Sequence, residues 1–156
     1  MIKSLFIASI YIVFIGCAEN TDEPVAGEMR IPIEGTWRLL NGTLIENGDT
    51  LVTEYSGNRS FIKVINQTHF AFLNHDTNKG KDSLAVFGAG GGRYTLHGNS
   101  YKEHLEYCSD RSWEGHQFTF IIQITGDTLV QSGVEKIESE GINRTNIERY
   151  VRVKKK

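Results

Sequence analysis

Glu103, His104, Cys108 and His116 are the residues whose types and spacing bear most directly on chemistry. Glu103 with His116 would supply a carboxylate and an imidazole for acid–base work. Cys108 with either histidine would supply a nucleophile and its base. His104, Cys108 and His116 also carry the donor atoms of a zinc site. None of these sets has a recognisable signature, and His104 and His116 fall on opposite strand faces in the registers derived below. His69 and His75 have no carboxylate at a motif spacing. Gly88-Ala89-Gly90-Gly91-Gly92 invites a phosphate-loop reading. No Gly-Lys-Ser/Thr follows it, and its surroundings are rich in strands, so it reads as a flexible loop or a bend at a rim. The expectation is a protein that is not an enzyme, with no catalytic residues, no metal and no cofactor.

The elements that would position these side chains are strands. From Gly35 onward helical periodicity is scarce and turn signals recur at short spacing. Asn47-Gly48 is a two-residue hairpin signal, since both positions need positive φ; Asn66-Gln67, Gly98-Asn99 and Gly126-Asp127 are further candidates. Runs rich in Val, Ile, Phe, Tyr and Thr lie between them, predicting strands near 36–45, 50–56, 60–66, 68–74, 83–88, 92–97, 100–107, 115–125, 128–136 and 147–153. Residues 56–59 and 109–114 read as loops, and 137–146 as a loop or one short helical turn. Successive antiparallel strands without helices form a meander, and a meander of about eight to ten strands closes into an up-and-down barrel that leaves no exposed edge. A two-sheet sandwich is the structural alternative.

Two of the turns set registers. A turn at Gly98-Asn99 pairs His97 with Ser100, Leu96 with Tyr101 and Tyr94 with Glu103. Alternation then carries Leu105 and Tyr107 to the same inner face. A turn at Gly126-Asp127 sets Ile124 against Leu129, Ile122 against Gln131, Phe120 against Gly133 and Phe118 against Glu135. His116, Phe118, Phe120, Ile122 and Ile124 form that strand's apolar face. An inner surface of Phe and Ile with a few polar groups is what a small-ligand cavity needs. The expected ligand-binding set is Tyr94, Tyr101, Glu103, Leu105, Tyr107, His116, Phe118, Phe120, Ile122 and Gln131, with Glu135 near a rim. Glu103 and Tyr107 are its polar anchors. An inward carboxylate needs a partner, and the Tyr94 hydroxyl opposite Glu103 could donate. A satisfied internal network is the other reading of these polar groups. No register follows around Asn66-Gln67, because both faces of 60–65 carry apolar residues.

The formal net charge of −2 argues against nucleic acid as a partner. Lys154-Lys155-Lys156 reads as a solvated end. The N-terminus is different in kind. Ile2-Lys3-Ser4 is a short basic start, and Leu5 to Ile15 is an almost unbroken apolar run, too short for a comfortable membrane span but fitting the h-region of a secretory signal. Residues 18–34 are acidic and polar, contain Pro24 and Pro32, and read as a tether reaching about 55 Å when extended.

Gly16 directly before Cys17 resembles the lipobox of bacterial lipoproteins. That resemblance implies a signal peptide over 1–16, a lipidated Cys17 opening a flexible tether over 17–34, and a domain over 35–156. Phe14 departs from the usual Leu of that motif. Each buried CH2 of an acyl chain contributes about 0.8 kcal/mol, so two or three chains hold firmly. Ala18 gives no sign of inner-membrane retention, and Glu19, Asp22 and Glu23 are similar to the acidic cluster that marks surface export in some Gram-negative groups. The implied location is the outer membrane of a Gram-negative envelope, on its periplasmic face or at the cell surface. With Cys17 lipidated, Cys108 has no disulfide partner within the chain.

Gly35-Thr36-Trp37 looks like the Gly-x-Trp signature of lipocalins and their bacterial lipocalin-like relatives. Tyr150-Val151-Arg152-Val153-Lys154 resembles the closing segment of small lipocalin-like lipoproteins. The stretches 91–96 and 103–107 also look like an uncharacterised lipocalin-like domain family. The resemblance covers most of 35–154 and implies an all-β, calycin-type barrel in which Trp37 packs across the closed end. Arg152 or Arg149 would lay its cation over the Trp37 ring. It implies non-covalent binding of a small, mostly apolar ligand. The competing expectation is a structural or interaction module of the envelope with a filled barrel, since similar barrels carry unrelated functions.

Overall fold

The computed structural model describes residues 31–83 and 85–154. The proposed signal peptide, Cys17 and the tether as far as residue 30 lie outside the described residues. Nine strands follow in chain order: β1 (Gly35–Glu46), β2 (Asp49–Glu54), β3 (Arg59–Ile65), β4 (His69–Asp76), β5 (Phe87–His97), β6 (Ser100–Cys108), β7 (Gln117–Thr125), β8 (Thr128–Ile137) and β9 (Ile142–Arg152). Each is antiparallel to its neighbour, and β9 returns to pair with β1, closing the barrel. Eight strands make the closed wall and β2 is additional. The first half of β1 pairs with β3, Gly35 to Arg38 against Ile65 to Ile62. Beyond Leu40 the same edge pairs with β2, Asn41 to Glu46 against Glu54 to Asp49. Together β2 and β3 serve one edge of one long strand.

The turns follow from their residues. Asn47 and Gly48 both have positive φ (52° and 87°) and join β1 to β2 as a two-residue hairpin. The Gly98-Asn99 turn pairs His97 with Ser100, Leu96 with Tyr101 and Tyr94 with Glu103. The Gly126-Asp127 turn pairs Ile124 with Leu129, Ile122 with Gln131 and Phe120 with Gly133.

Three expectations are corrected. The glycine run is neither a loop nor a rim bend, and the strands expected at 83–88 and 92–97 are replaced by the single strand β5. Gly88, Gly90 and Gly92 share its inner face, and the lack of side chains there lets neighbours close in. A Cβ on Gly90 would stand 2.5 Å from the Phe72 ring, and one on Gly92 would collide with the His104 carbonyl. The last strand begins at Ile142 rather than near 147, after one helical turn over Glu138–Glu140. The tether's last four residues are packed against the barrel rather than flexible. Ile33 is buried, and its carbonyl accepts from Trp37 Nε1 at 2.7 Å.

The core fills one end of the barrel. Trp37, Tyr101, Leu129 and Tyr150 have no exposed surface, and Leu39 and Ile122 have 1 %. The Arg152 guanidinium lies 4.0 Å from the Trp37 ring centre and donates to the Pro32 and Glu34 carbonyls, each at 2.7 Å. Arg152 is therefore the cation at the closed end. Arg149, the other candidate, is exposed and pairs across the sheet with Asn41 and Val130.

Candidate functional site

Above this core the barrel interior opens into a cavity of about 340 Å3. Its apolar wall includes Leu44, Phe61, Phe72, Leu105, Phe118 and Phe120. Phe61 and Phe72 stack with ring centres 5.7 Å apart, Phe72 leaning into the space left by Gly90. The volume falls in the range of about 300–1,000 Å3 typical of small-molecule sites.

The floor is polar, and its centre is Lys63. This side chain points inward from β3 and is 2 % exposed. Its Nζ donates to Glu103 Oε1 at 2.7 Å and to Gln131 Oε1 at 3.0 Å, and Glu148 Oε2 lies 3.9 Å away. The rings of Phe70, Tyr101 and Tyr150 surround it, with centres 5.5 to 5.9 Å from the ammonium. Tyr150 donates to Glu148 Oε2 at 2.7 Å. A buried ion needs this many partners to be tolerated. Burial pushes the Glu103 carboxyl above its ordinary range; Lys63 pulls it back down, and the charge on Glu148 adds to the rise. Burial and then Glu148 likewise push the Tyr150 phenol well up. For Tyr101 the causes are burial and then the Glu103 charge. The Tyr101 hydroxyl is buried and makes no hydrogen bond of good geometry.

The upper wall carries a second polar group. Glu135 accepts from Arg144 Nε at 2.8 Å and from Asn146 Nδ2 at 2.7 Å. The Arg144 guanidinium also lies 5.1 Å from the ring centre of Trp113, which sits on a single helical turn (Arg111–Trp113) between β6 and β7. Arg144 and Trp113 together shape one side of the mouth.

Glu103, Leu105, Phe118, Phe120 and Gln131 therefore lie together on the cavity, with Glu135 higher on its wall. Tyr101 and Ile122 lie in the packed core, not on its lining. Tyr94 stands at the other end of the barrel, where its hydroxyl donates to the Asn66 carbonyl at 2.8 Å. The floor partner of Glu103 is Lys63. His116 is half-buried beside Phe118, with ring centres 6.4 Å apart, and does not line the cavity. Tyr107, expected as an anchor, points outward and is 69 % exposed. A bulge explains it: Gly92 pairs with Leu105 but Gly91 with Tyr107, so Glu106 is an extra residue and alternation reverses. Cys108 takes the inward place, half-buried on the cavity wall, and burial pushes its thiol up. Among the described residues no three His, Cys, Asp or Glu side chains converge as a metal site.

Lys63, Glu148, Arg144 and Asn146 were not singled out by sequence reasoning. For the three on β9 a signal existed, because Tyr150, Glu148, Asn146 and Arg144 alternate along one strand. The architecture defines a closed antiparallel barrel with a half-filled interior. No family model, curated protein or solved structure matches this chain.

Proposed function

We propose that this chain is a lipocalin-like lipoprotein of the bacterial outer membrane, anchored through Cys17, whose barrel binds a small, mostly apolar ligand without catalysis. The observation that carries the binding reading is the cavity, about 340 Å3 of space over a network of buried polar groups. An interior serving only stability would gain by filling that space, because cavities cost free energy in proportion to their volume. The Gly-x-Trp segment, with Arg152 laid over Trp37, supports the lipocalin-like reading. The anchoring rests on the apolar run ending at Gly16-Cys17.

The direct test is to purify residues 18–156 natively, extract them and identify bound small molecules by mass spectrometry. A stoichiometric apolar compound supports the carrier reading and names its class. A chain that comes away empty and takes up no apolar probe at high concentration favours the structural module instead. The anchor has its own test: Cys17→Ser should abolish labelling by a tagged fatty acid and release the chain from membranes. Continued labelling of the variant removes the lipoprotein reading.

A further inference from the structure

The charges around the cavity do not balance. At the floor one ammonium, Lys63, faces two carboxylates, Glu103 and Glu148. Higher on the wall Glu135 is matched by Arg144, and the exposed Asp110 adds a carboxylate at the mouth. The floor is one positive charge short of neutrality. Lys63 is already committed, since it holds Glu103 and Gln131 directly and is enclosed by three rings. Glu148 is less committed. Its contacts with Tyr150 and Lys63 both run through Oε2, and its side chain, 15 % exposed, lines the cavity.

A ligand head group meets this surplus directly. A carboxylate would bring a third negative charge to a single, already paired cation in a poorly solvated site. A cation would leave two positive charges facing two negative ones. Coulombic energies grow as water is excluded, and an unpaired buried charge is what a selective site uses to reject the wrong ligand. We infer that the cavity selects amphiphiles with a cationic head, an amine on an apolar tail, and rejects the carboxylate of the same tail, the ammonium lying against Glu148 at the floor. This inference rests on the ligand-binding reading above.

The test uses the full chain in phosphatidylcholine nanodiscs at neutral pH, with empty discs as reference. Octylamine, 1-octanol and octanoate share one tail and differ in head charge. Trp113 at the mouth reports binding by fluorescence, and a Trp113→Phe variant identifies its share of the signal. Octylamine is expected to bind at least about tenfold more tightly than octanoate, with octanol between them. Glu148→Gln keeps an acceptor for Tyr150 and should cut the amine's advantage over octanol to less than about threefold, with an unchanged far-ultraviolet circular dichroism spectrum as the sign of an intact barrel. Octanoate binding as tightly as octylamine overturns the inference and leaves the ligand-binding reading standing. An amine preference that survives Glu148→Gln overturns the role of Glu148. Failure of all three to bind overturns the ligand-binding reading and the head-group preference with it.

Discussion

The two ends of this barrel solve opposite problems with the same strands. At the closed end, large side chains meet across the interior: Trp37, Tyr101, Tyr150, Leu39 and Leu129 have almost no exposed surface. Arg152 covers the Trp37 ring and ties down the chain before β1 through two carbonyls. At the open end, Gly88 leaves space at the mouth, and charged groups stand where apolar ones would pack. The closed half concentrates apolar burial and so carries much of the stability. The open half gives up packing for space and polarity. The contrast teaches that position along the barrel axis, more than inward orientation, separates core residues from site residues.

The comparison can be broken most decisively at Trp37. Trp37→Ala removes the largest buried side chain and leaves the Ile33 carbonyl without its donor, so it should cost about 3–5 kcal/mol in chemical denaturation. A loss below about 1 kcal/mol would show that the closed end does not carry the fold.

Lys63 sits at the boundary between the halves. Lys63→Met strands Glu103 and should cost about 3 kcal/mol near neutral pH, as breaking a buried pair does. The sign of its pH dependence follows from the raised Glu103 carboxyl. In the window between its unfolded and folded values, the folded chain holds a proton that the unfolded chain has released. Stability therefore falls as pH rises through that window. Removing Lys63 takes away the influence that lowers the folded value, so the window extends upward. The variant's deficit should be smallest in acid, where Glu103 is neutral, and should grow as pH rises through the extended window. Denaturation curves across pH would show this, and a deficit independent of pH would mean that Glu103 is not the stranded group.

Arg152→Leu tests the cover on the closed end. It removes a cation stacked on Trp37 and two charge-assisted hydrogen bonds, at a partly exposed site, and should cost about 1–2 kcal/mol. Arg149→Leu, on the exposed face, should change stability by less than about 0.5 kcal/mol. Equal losses would erase the distinction between the two arginines.

Much of the fold was legible because turn chemistry is local. Gly98-Asn99 and Gly126-Asp127 set their strand registers residue for residue, and alternation then placed Glu103, Leu105, Phe118, Phe120 and Gln131 inward. What failed was alternation carried across a bulge. One extra residue at Glu106 turned Tyr107 outward and Cys108 inward, and nothing in the types of those residues marks the slip. A second irregularity, between Leu39 and Asn41, shifts the inner face of β1 from Trp37 and Leu39 to Gly42 and Leu44. Lys63 was hidden for a different reason. A lysine among apolar residues on both faces reads as the solvent side of its strand, and only the carboxylates of distant β6 and β9 make its burial tolerable. Long-range pairing of charge has no local signature.

The glycine run offers the finest test, because its members share a strand face but differ in what lies behind them. A Cβ on Gly92 would strike the β6 backbone at the bulge, where no flexible side chain can yield, so Gly92→Ala should cost about 1–3 kcal/mol. A Cβ on Gly88, at the mouth, would meet only the Ser109 hydroxyl at 3.8 Å. Gly88→Ala should therefore alter stability by no more than about 0.5 kcal/mol in either direction. The pair isolates the axial difference from residue type, since the substitution is identical and both sites face inward on β5. If both variants lose stability equally, the inner face of β5 is uniformly tight and the openness of the mouth does not come from its glycines. If only Gly92→Ala does, glycine serves close backbone approach near the core and open space at the mouth, within five residues of one strand.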